Sequence, residues 1–189
     1  VTTNALAPDQ ARAQLHELTV IDVRTPGEYA SGHLPGAHNI PLDALDTALP
    51  ALKEAAARGD LLVVCASGAR SAQATERLAV QGIAAATLTG GTGAWAAEGH
   101  DLHRPEHVTR TVWGMERQVR LTAGALVLTG LALGLLHPAF QLVSAGIAGG
   151  LVFSALTNTC GMAAVLAKLP HNRPRGADLD ATLAALRDR

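Results

Sequence analysis

Cysteine is almost missing from this chain. Cys65 and Cys160 are the only two in 189 residues and fall in segments of different character, which excludes a disulfide framework. Neither sign of charge is in excess, with 15 basic against 16 acidic side chains, so no polybasic surface offers itself to nucleic acid. Glycine-rich phosphate-binding motifs and internal repeats are lacking. The eight histidines are scattered without ligand spacing, so no metal site and no cofactor are expected. The stretch that begins Val1-Thr2-Thr3-Asn4 has neither the basic start nor the apolar core of a signal peptide.

The most consequential absence is of charge. From Leu121 to Ala167 there is no Asp, Glu, Lys or Arg, while the remainder is ordinarily charged. A membrane helix needs about 20 apolar residues. The stretch divides at His137-Pro138 into two such passes, roughly Val119 to Leu136 and Ala139 to Thr157, and reads as a transmembrane hairpin in a lipid bilayer. Arg104, Arg110, Arg117 and Arg120 precede it, Lys168, Arg173 and Arg175 follow it, and the turn between the passes has no basic residue. Both termini are therefore expected in the cytoplasm, with the hairpin itself directing the protein to the membrane. Gly130 with Gly134, and Gly146 with Gly150, form small-residue pairs that join the two passes to each other or two chains into a homodimer.

What is present is concentrated at Val63-Val64-Cys65-Ala66-Ser67-Gly68-Ala69-Arg70-Ser71. Leu61 to Val64 read as a buried parallel strand, and Ala74 and Leu78 give the segment from Ser71 to Gln81 helical spacing. Cys65 thus lies at a strand-to-helix turn. Amide groups of the turn, the positive end of the helix and Arg70 favour an ionised, outward-aimed sulfur. A lone cysteine after an apolar strand is commonly a small buried hydrophobe. Here the loop of small residues, Gly68 and the closing cation favour a reactive thiol. The rest of the first hundred residues alternates helix and strand: helix near Pro8 to Leu18, strand Val20 to Val23, helices near Leu42 to Arg58, strand Ala85 to Leu88, and a short helix around a core Trp95. That order predicts an α/β fold, a parallel sheet flanked by helices on both faces, with ligands beyond the strand C-termini where Cys65 falls. Asp22, Arg24 and Glu28 are expected to pair as structural support at that edge, and His33 and His38 to bond backbone in a turn-rich connection.

Cys65-Ala66-Ser67-Gly68-Ala69-Arg70 resembles the active-site loop of the rhodanese family. Two further stretches agree with it in the family's order. Val20-Ile21-Asp22-Val23-Arg24-Thr25-Pro26-Gly27-Glu28-Tyr29 with Gly32-His33-Leu34-Pro35-Gly36-Ala37-His38-Asn39-Ile40-Pro41 is similar to the first signature, and Gly90-Gly91-Thr92-Gly93-Ala94-Trp95 to the second. Asn158-Thr159-Cys160-Gly161-Met162-Ala163, continuing to Leu169-Pro170-His171-Asn172, resembles the end of the two-pass module attached to bacterial rhodaneses of the YgaP type.

The resemblance implies a sulfurtransferase anchored in the bacterial inner membrane. Cys65 would attack a small sulfur-containing anion such as thiosulfate, or a persulfide donor, and pass the sulfur to a thiol or cyanide acceptor, with Ala66, Ser67, Gly68, Ala69, Arg70 and Ser71 forming the binding loop. The expected organisation is a cytoplasmic rhodanese domain over 1–103, a basic linker over 104–118, the hairpin with its interfacial end over 119–169, and a polar tail over 170–189, in which Leu179, Leu183 and Leu186 have helical spacing. One alternative is a non-enzymatic persulfide carrier or sensor coupled to membrane anion transport. Another is a cysteine phosphatase or arsenate reductase, disfavoured because four residues, not five, separate Cys65 from Arg70. Cys160 is read as a small apolar residue where helices pack, rather than as a relay thiol.

Overall fold

The computed structural model describes residues 4–104, 115–157, 161–167, 169 and 176–187. Cys160, the linker arginine Arg110 and the basic residues Lys168, Arg173 and Arg175 lie outside the described residues. The chain forms two compact units, Val1–Thr111 with Pro174–Arg189, and Val112–Arg173.

In the first unit the order is β1 (Ala5–Leu6), α1 (Pro8–Ala13), β2 (Thr19–Asp22), α2 (Pro26–Ala30), β3 (His38–Asn39), a 3-10 turn at Leu42–Ala44, α3 (Leu45–Arg58), β4 (Leu61–Val64), α4 (Ala69–Val80), β5 (Ala86–Leu88) and α5 (Gly91–Ala97). These five strands pair in parallel, in the order β1-β5-β4-β2-β3. Every residue of β4 is buried, as a central strand covered on both faces requires. Strand side chains alternate between faces. Ile21, Leu61 and Val63 thus join the α3 and α4 side of the core, while Val20, Leu62 and Val64 join Ala11 and Trp95 on the other.

Three features differ from the sequence reading. The first helix stops at Ala13, where the chain turns toward β2 instead of continuing to Leu18. The two-residue edge strands β1 and β3 are too short to show any periodicity. β3 is fastened by Asn39, whose Nδ2 donates to the carbonyls of Asp22 (3.0 Å) and Arg24 (2.9 Å).

The third difference is at the tail. Residues of α9 (Gly176–Arg187, named after the second unit's helices below) pack on α3, burying Leu183 and Leu186 in the same core cluster as Ala51 and Leu52. Arg58 Nη2 donates to the Leu186 carbonyl. The leucine spacing marks this helix in the sequence, and its apolar stripe explains why it docks on the domain. With Leu186 only 1% exposed, Leu186→Ala is expected to destabilise this unit by about 2–3 kcal/mol. A lowered urea midpoint at unchanged slope checks it; an unchanged midpoint would show that the helix does not dock.

The second unit contains α6 (Met115–Gly134), a 3-10 turn at Pro138–Phe140, α7 (Gln141–Thr157) and α8 (Gly161–Ala167). Among the described residues one helical stretch, Pro138–Thr157, is long and apolar enough to cross a membrane, with a mean hydropathy of 1.7. α6 covers most of the first expected pass but opens on Glu116, Arg117, Gln118 and Arg120, which lowers its hydropathy. Gly130 and Gly134 let the two helices approach: a Cβ on Gly130 would meet Ser144, and one on Gly134 would meet Gln141 at 2.7 Å. Ser144 Oγ donates to the Val127 carbonyl at 2.9 Å. A Cβ on Gly146 or Gly150 would meet nothing within 4 Å.

Candidate active site

The connection after β2 runs toward β3 and that after β4 toward β5, so the two loops part in opposite directions at the C-terminal edge of the sheet. Such a divergence opens a crevice. Cys65 follows β4 directly, and Gly68, at φ +96°, turns the chain into α4. The left-handed conformation suits glycine and lets its own amide swing back: Gly68 N donates to Cys65 Sγ at 3.1 Å. Ser71, on the first turn of α4, lies beneath, its Oγ 3.6 Å from the sulfur while donating to the Gly68 carbonyl at 2.9 Å. Thr87 of β5 fixes that hydroxyl at 2.6 Å.

Cys65 is only 1% exposed. The expectation of an outward-aimed sulfur is thereby corrected: amide and hydroxyl draw Sγ into the floor of the loop, whose rim is the exposed Ser67 and the half-buried Ala66 and Ala69. The loop is clamped from behind. Thr92 N donates to the Cys65 carbonyl at 2.8 Å and Gly93 N to the Ala66 carbonyl at 3.0 Å. The sequence pattern at Gly90-Gly91 therefore does more than end β5 and start α5. It brings one backbone against another.

Arg70 does not point its charge at the sulfur alone. Its guanidinium forms a two-pronged pair with Glu28, at 2.9 Å from Nη1 and 2.8 Å from Nη2, tying α4 to α2 across the crevice. Glu28 also accepts from the amide (3.1 Å) and hydroxyl (2.9 Å) of Thr25, which caps α2. Asp22 and Arg24 pair with each other instead, with Arg24 Nη2 2.6 Å from Asp22 and 2.8 Å from the Gly32 carbonyl, where it holds the turn after α2. The three charges expected to act together thus divide between two pairs.

Burial pushes the Glu28 carboxyl up, but the bonds and charge of Arg70 and the Thr25 donors outweigh it and hold the group at about 2, against an ordinary 4.5. A folded-state value below the unfolded one gives stability that is complete above about pH 4.5 and is lost as pH falls through about 2. Glu28→Gln is expected to cost about 3 kcal/mol near neutral pH, since it strands a largely buried guanidinium. It should also flatten the pH dependence of stability between those two values. Chemical denaturation at several pH values checks both, and an unchanged acid limb would remove Glu28 from the account.

His33 Nδ1 donates to the Tyr29 carbonyl (2.9 Å) and the ring stacks on that of Tyr29 at 3.7 Å; burial, foremost, holds its ring below the usual histidine value. His38 belongs to edge strand β3. Trp95 is buried, with Nε1 donating to the Asp101 carbonyl at 3.0 Å.

Comparison with known proteins agrees with this fold. Residues 7–98 match the model of the rhodanese-like domain, and residues 112–175 match that of the inner membrane protein YgaP-like transmembrane domain. An uncharacterized protein of Synechocystis, slr1261, is 33% identical over 176 residues, covering 91% of this chain and 95% of its own length. A protein of Allochromatium vinosum named a sulfurtransferase is 35% identical over 98 residues, 51% of this chain and 89% of the relative. Among solved structures, a rhodanese-related protein from Thermoplasma volcanium superposes with a TM-score of 0.51 at 28% identity, over 54% of this chain and 99% of that one. The chain belongs to the family that joins a rhodanese-like domain to a YgaP-like transmembrane domain.

Proposed function

We propose that this protein is a membrane-anchored sulfurtransferase that carries sulfane sulfur on Cys65, taking it from thiosulfate or a persulfide and delivering it to cyanide or a thiol. The observation that carries this reading is the Gly68 amide, 3.1 Å from Cys65 Sγ at the N-terminal end of α4. An anionic sulfur is favoured where amides converge on a helix start. A relative named a sulfurtransferase is similar over 98 residues, about half of this chain.

In the first half-reaction the Cys65 thiolate attacks the outer sulfur of thiosulfate. The sulfur–sulfur bond of the donor breaks with its electron pair leaving on sulfite, and a Cys65 persulfide remains. In the second, a thiolate or cyanide attacks the terminal sulfur and the pair returns to Cys65. No separate base is needed once the thiolate exists. The loop amides hold the terminal sulfur, and Arg70, locked by Glu28, keeps the loop in place for both steps.

Intact mass spectrometry of the full chain in detergent tests this: brief exposure to thiosulfate should add one sulfur atom, and cyanide should remove it. No adduct from either thiosulfate or an alkyl persulfide would end the reading.

The anchoring is proposed as two passes with both termini cytoplasmic, the basic residues before the first pass and after the second, with none in the turn between, supporting this orientation. A cysteine tag beside Pro138 should react with an impermeant reagent in intact cells, whereas a reporter after Arg189 should not be reached. Protection of the Pro138 tag would reverse the orientation or remove a pass.

A further inference from the structure

Away from Cys65, the start of α1 and the turn after α5 bring together Asp9, Glu98 and His100. The His100 side chain is 5% exposed, tilted against Trp95 with ring centroids 4.8 Å apart. Its Nε2 is buried and lacks a hydrogen-bond partner. Asp9 Oδ1 is 3.0 Å from that nitrogen, and Glu98 Oε2 is 3.8 Å from it. The Asp9 oxygen is close enough for a hydrogen bond but out of line with the ring N–H, so the two atoms sit side by side instead of pointing at each other.

Side-by-side donors are the arrangement of ligands around one cation. Bonds of about 2.0–2.2 Å to imidazole nitrogen and carboxylate oxygen place neighbouring ligand atoms about 3–3.6 Å apart. The His100–Asp9 distance falls at this spacing, and the three ligand atoms all lie within 4.8 Å of one another. Glu98 and Asp9 are on the solvent side, at 43% and 82% side-chain exposure, and have room to close on an ion.

We propose that His100, Asp9 and Glu98 bind a first-row divalent cation, zinc or a metal of similar preference, with water completing the coordination. One imidazole and two carboxylates form a nitrogen–oxygen donor set of the kind these ions accept. Two carboxylates against the single charge of Arg12 leave a negative site for a dication to neutralise. Arg12 Nη1 lies 3.4 Å from His100 Nδ1, and as arginine only donates, that contact calls for Nδ1 as acceptor with a ring proton on Nε2. Metal binding moves that proton to Nδ1 and takes the Nε2 lone pair. The exposed Arg12 side chain then turns to water. The ion would pin α1 to the segment that follows α5, independently of the sulfurtransferase reading. Asp9 and His100 lie at opposite ends of the soluble domain's sequence, which is why ligand spacing does not reveal them.

The test uses tag-free, chelator-treated full chain in detergent, titrated with Co2+ and back-titrated with Zn2+. One Co2+ per chain should bind saturably, give visible d–d absorption without a sulfur-to-cobalt charge-transfer band, and be displaced by zinc. Cys65→Ser should bind equally well. Asp9→Asn and Glu98→Gln, which change exposed side chains and leave the core intact, should each weaken binding at least about ten-fold, and His100→Gln should abolish it. At the same concentration zinc should raise the Tm of the wild type more than that of Asp9→Asn. Absence of saturable binding overturns the site, as does binding that Asp9→Asn and Glu98→Gln leave untouched. A sulfur charge-transfer band lost in Cys65→Ser would assign the ion to the cysteine instead.

Discussion

Cys65→Ser is expected to reduce thiosulfate-to-cyanide sulfur transfer to the uncatalysed background while leaving the domain folded. A serine hydroxyl is close to a thiol in size and still accepts from the Gly68 amide, so although the site is only 1% exposed its polar atom stays paired and the fold is kept. The chemistry does notice. The thiolate is the nucleophile of sulfur transfer, a hydroxyl is not ionised near neutral pH, and no persulfide can form on oxygen. Turnover should vanish with no sulfur adduct in the intact mass, and stability measured by urea denaturation should fall by no more than about 1–2 kcal/mol. Turnover at the wild-type rate would remove Cys65 from the mechanism, leaving the loop as scaffolding.

The sequence makes the position of Cys65 legible because the signals there are local. An all-apolar run of four residues forms β4, and a following run of small residues with Gly68 at a positive φ must turn. The same holds for α4, whose helical spacing identifies it and whose start at Ala69 differs by two residues from the expected one. Partner choice among charges is not local. Asp22, Arg24 and Glu28 are close in sequence and were expected to group, yet Glu28 reaches across the crevice to Arg70, because α2 turns its carboxylate away from Arg24 while Arg24 is held by Asp22 and the Gly32 carbonyl. The docking of α9 is hidden for a similar reason. Leucines at helical spacing predict an amphipathic helix, but which surface it covers depends on α3, more than a hundred residues earlier in the chain. The purpose of Gly90-Gly91 also becomes visible only when β5 and β4 are placed side by side, since a glycine needed for close backbone approach reads the same in sequence as one needed for a turn.

Gly91→Ala should break the site from behind. Gly91 has φ +61°, and a Cβ added there would overlap the Cys65 carbonyl and come within 2.7 Å of Ala66 C and 2.8 Å of Ala66 O. These are backbone atoms of the reactive loop, with no flexible side chain to yield. Either α5 retreats or the Cys65 loop is pushed forward, and both outcomes lengthen the bonds from Thr92 N and Gly93 N that hold the loop. The left-handed backbone alone costs a side-chain-bearing residue about 1–2 kcal/mol, and the collision raises the total to about 3–5 kcal/mol. A loop displaced by about 1 Å is expected to lose about 100-fold in kcat/KM for the donor. Gly82 is the control. It has a similar φ of +74°, but an added Cβ would meet nothing within 4 Å, so Gly82→Ala carries the strain without the collision. It should destabilise by about 1–2 kcal/mol and leave kcat/KM unchanged. Equal stability losses in the two variants, with activity intact in Gly91→Ala, would show that the β5–α5 turn does not brace the cysteine loop.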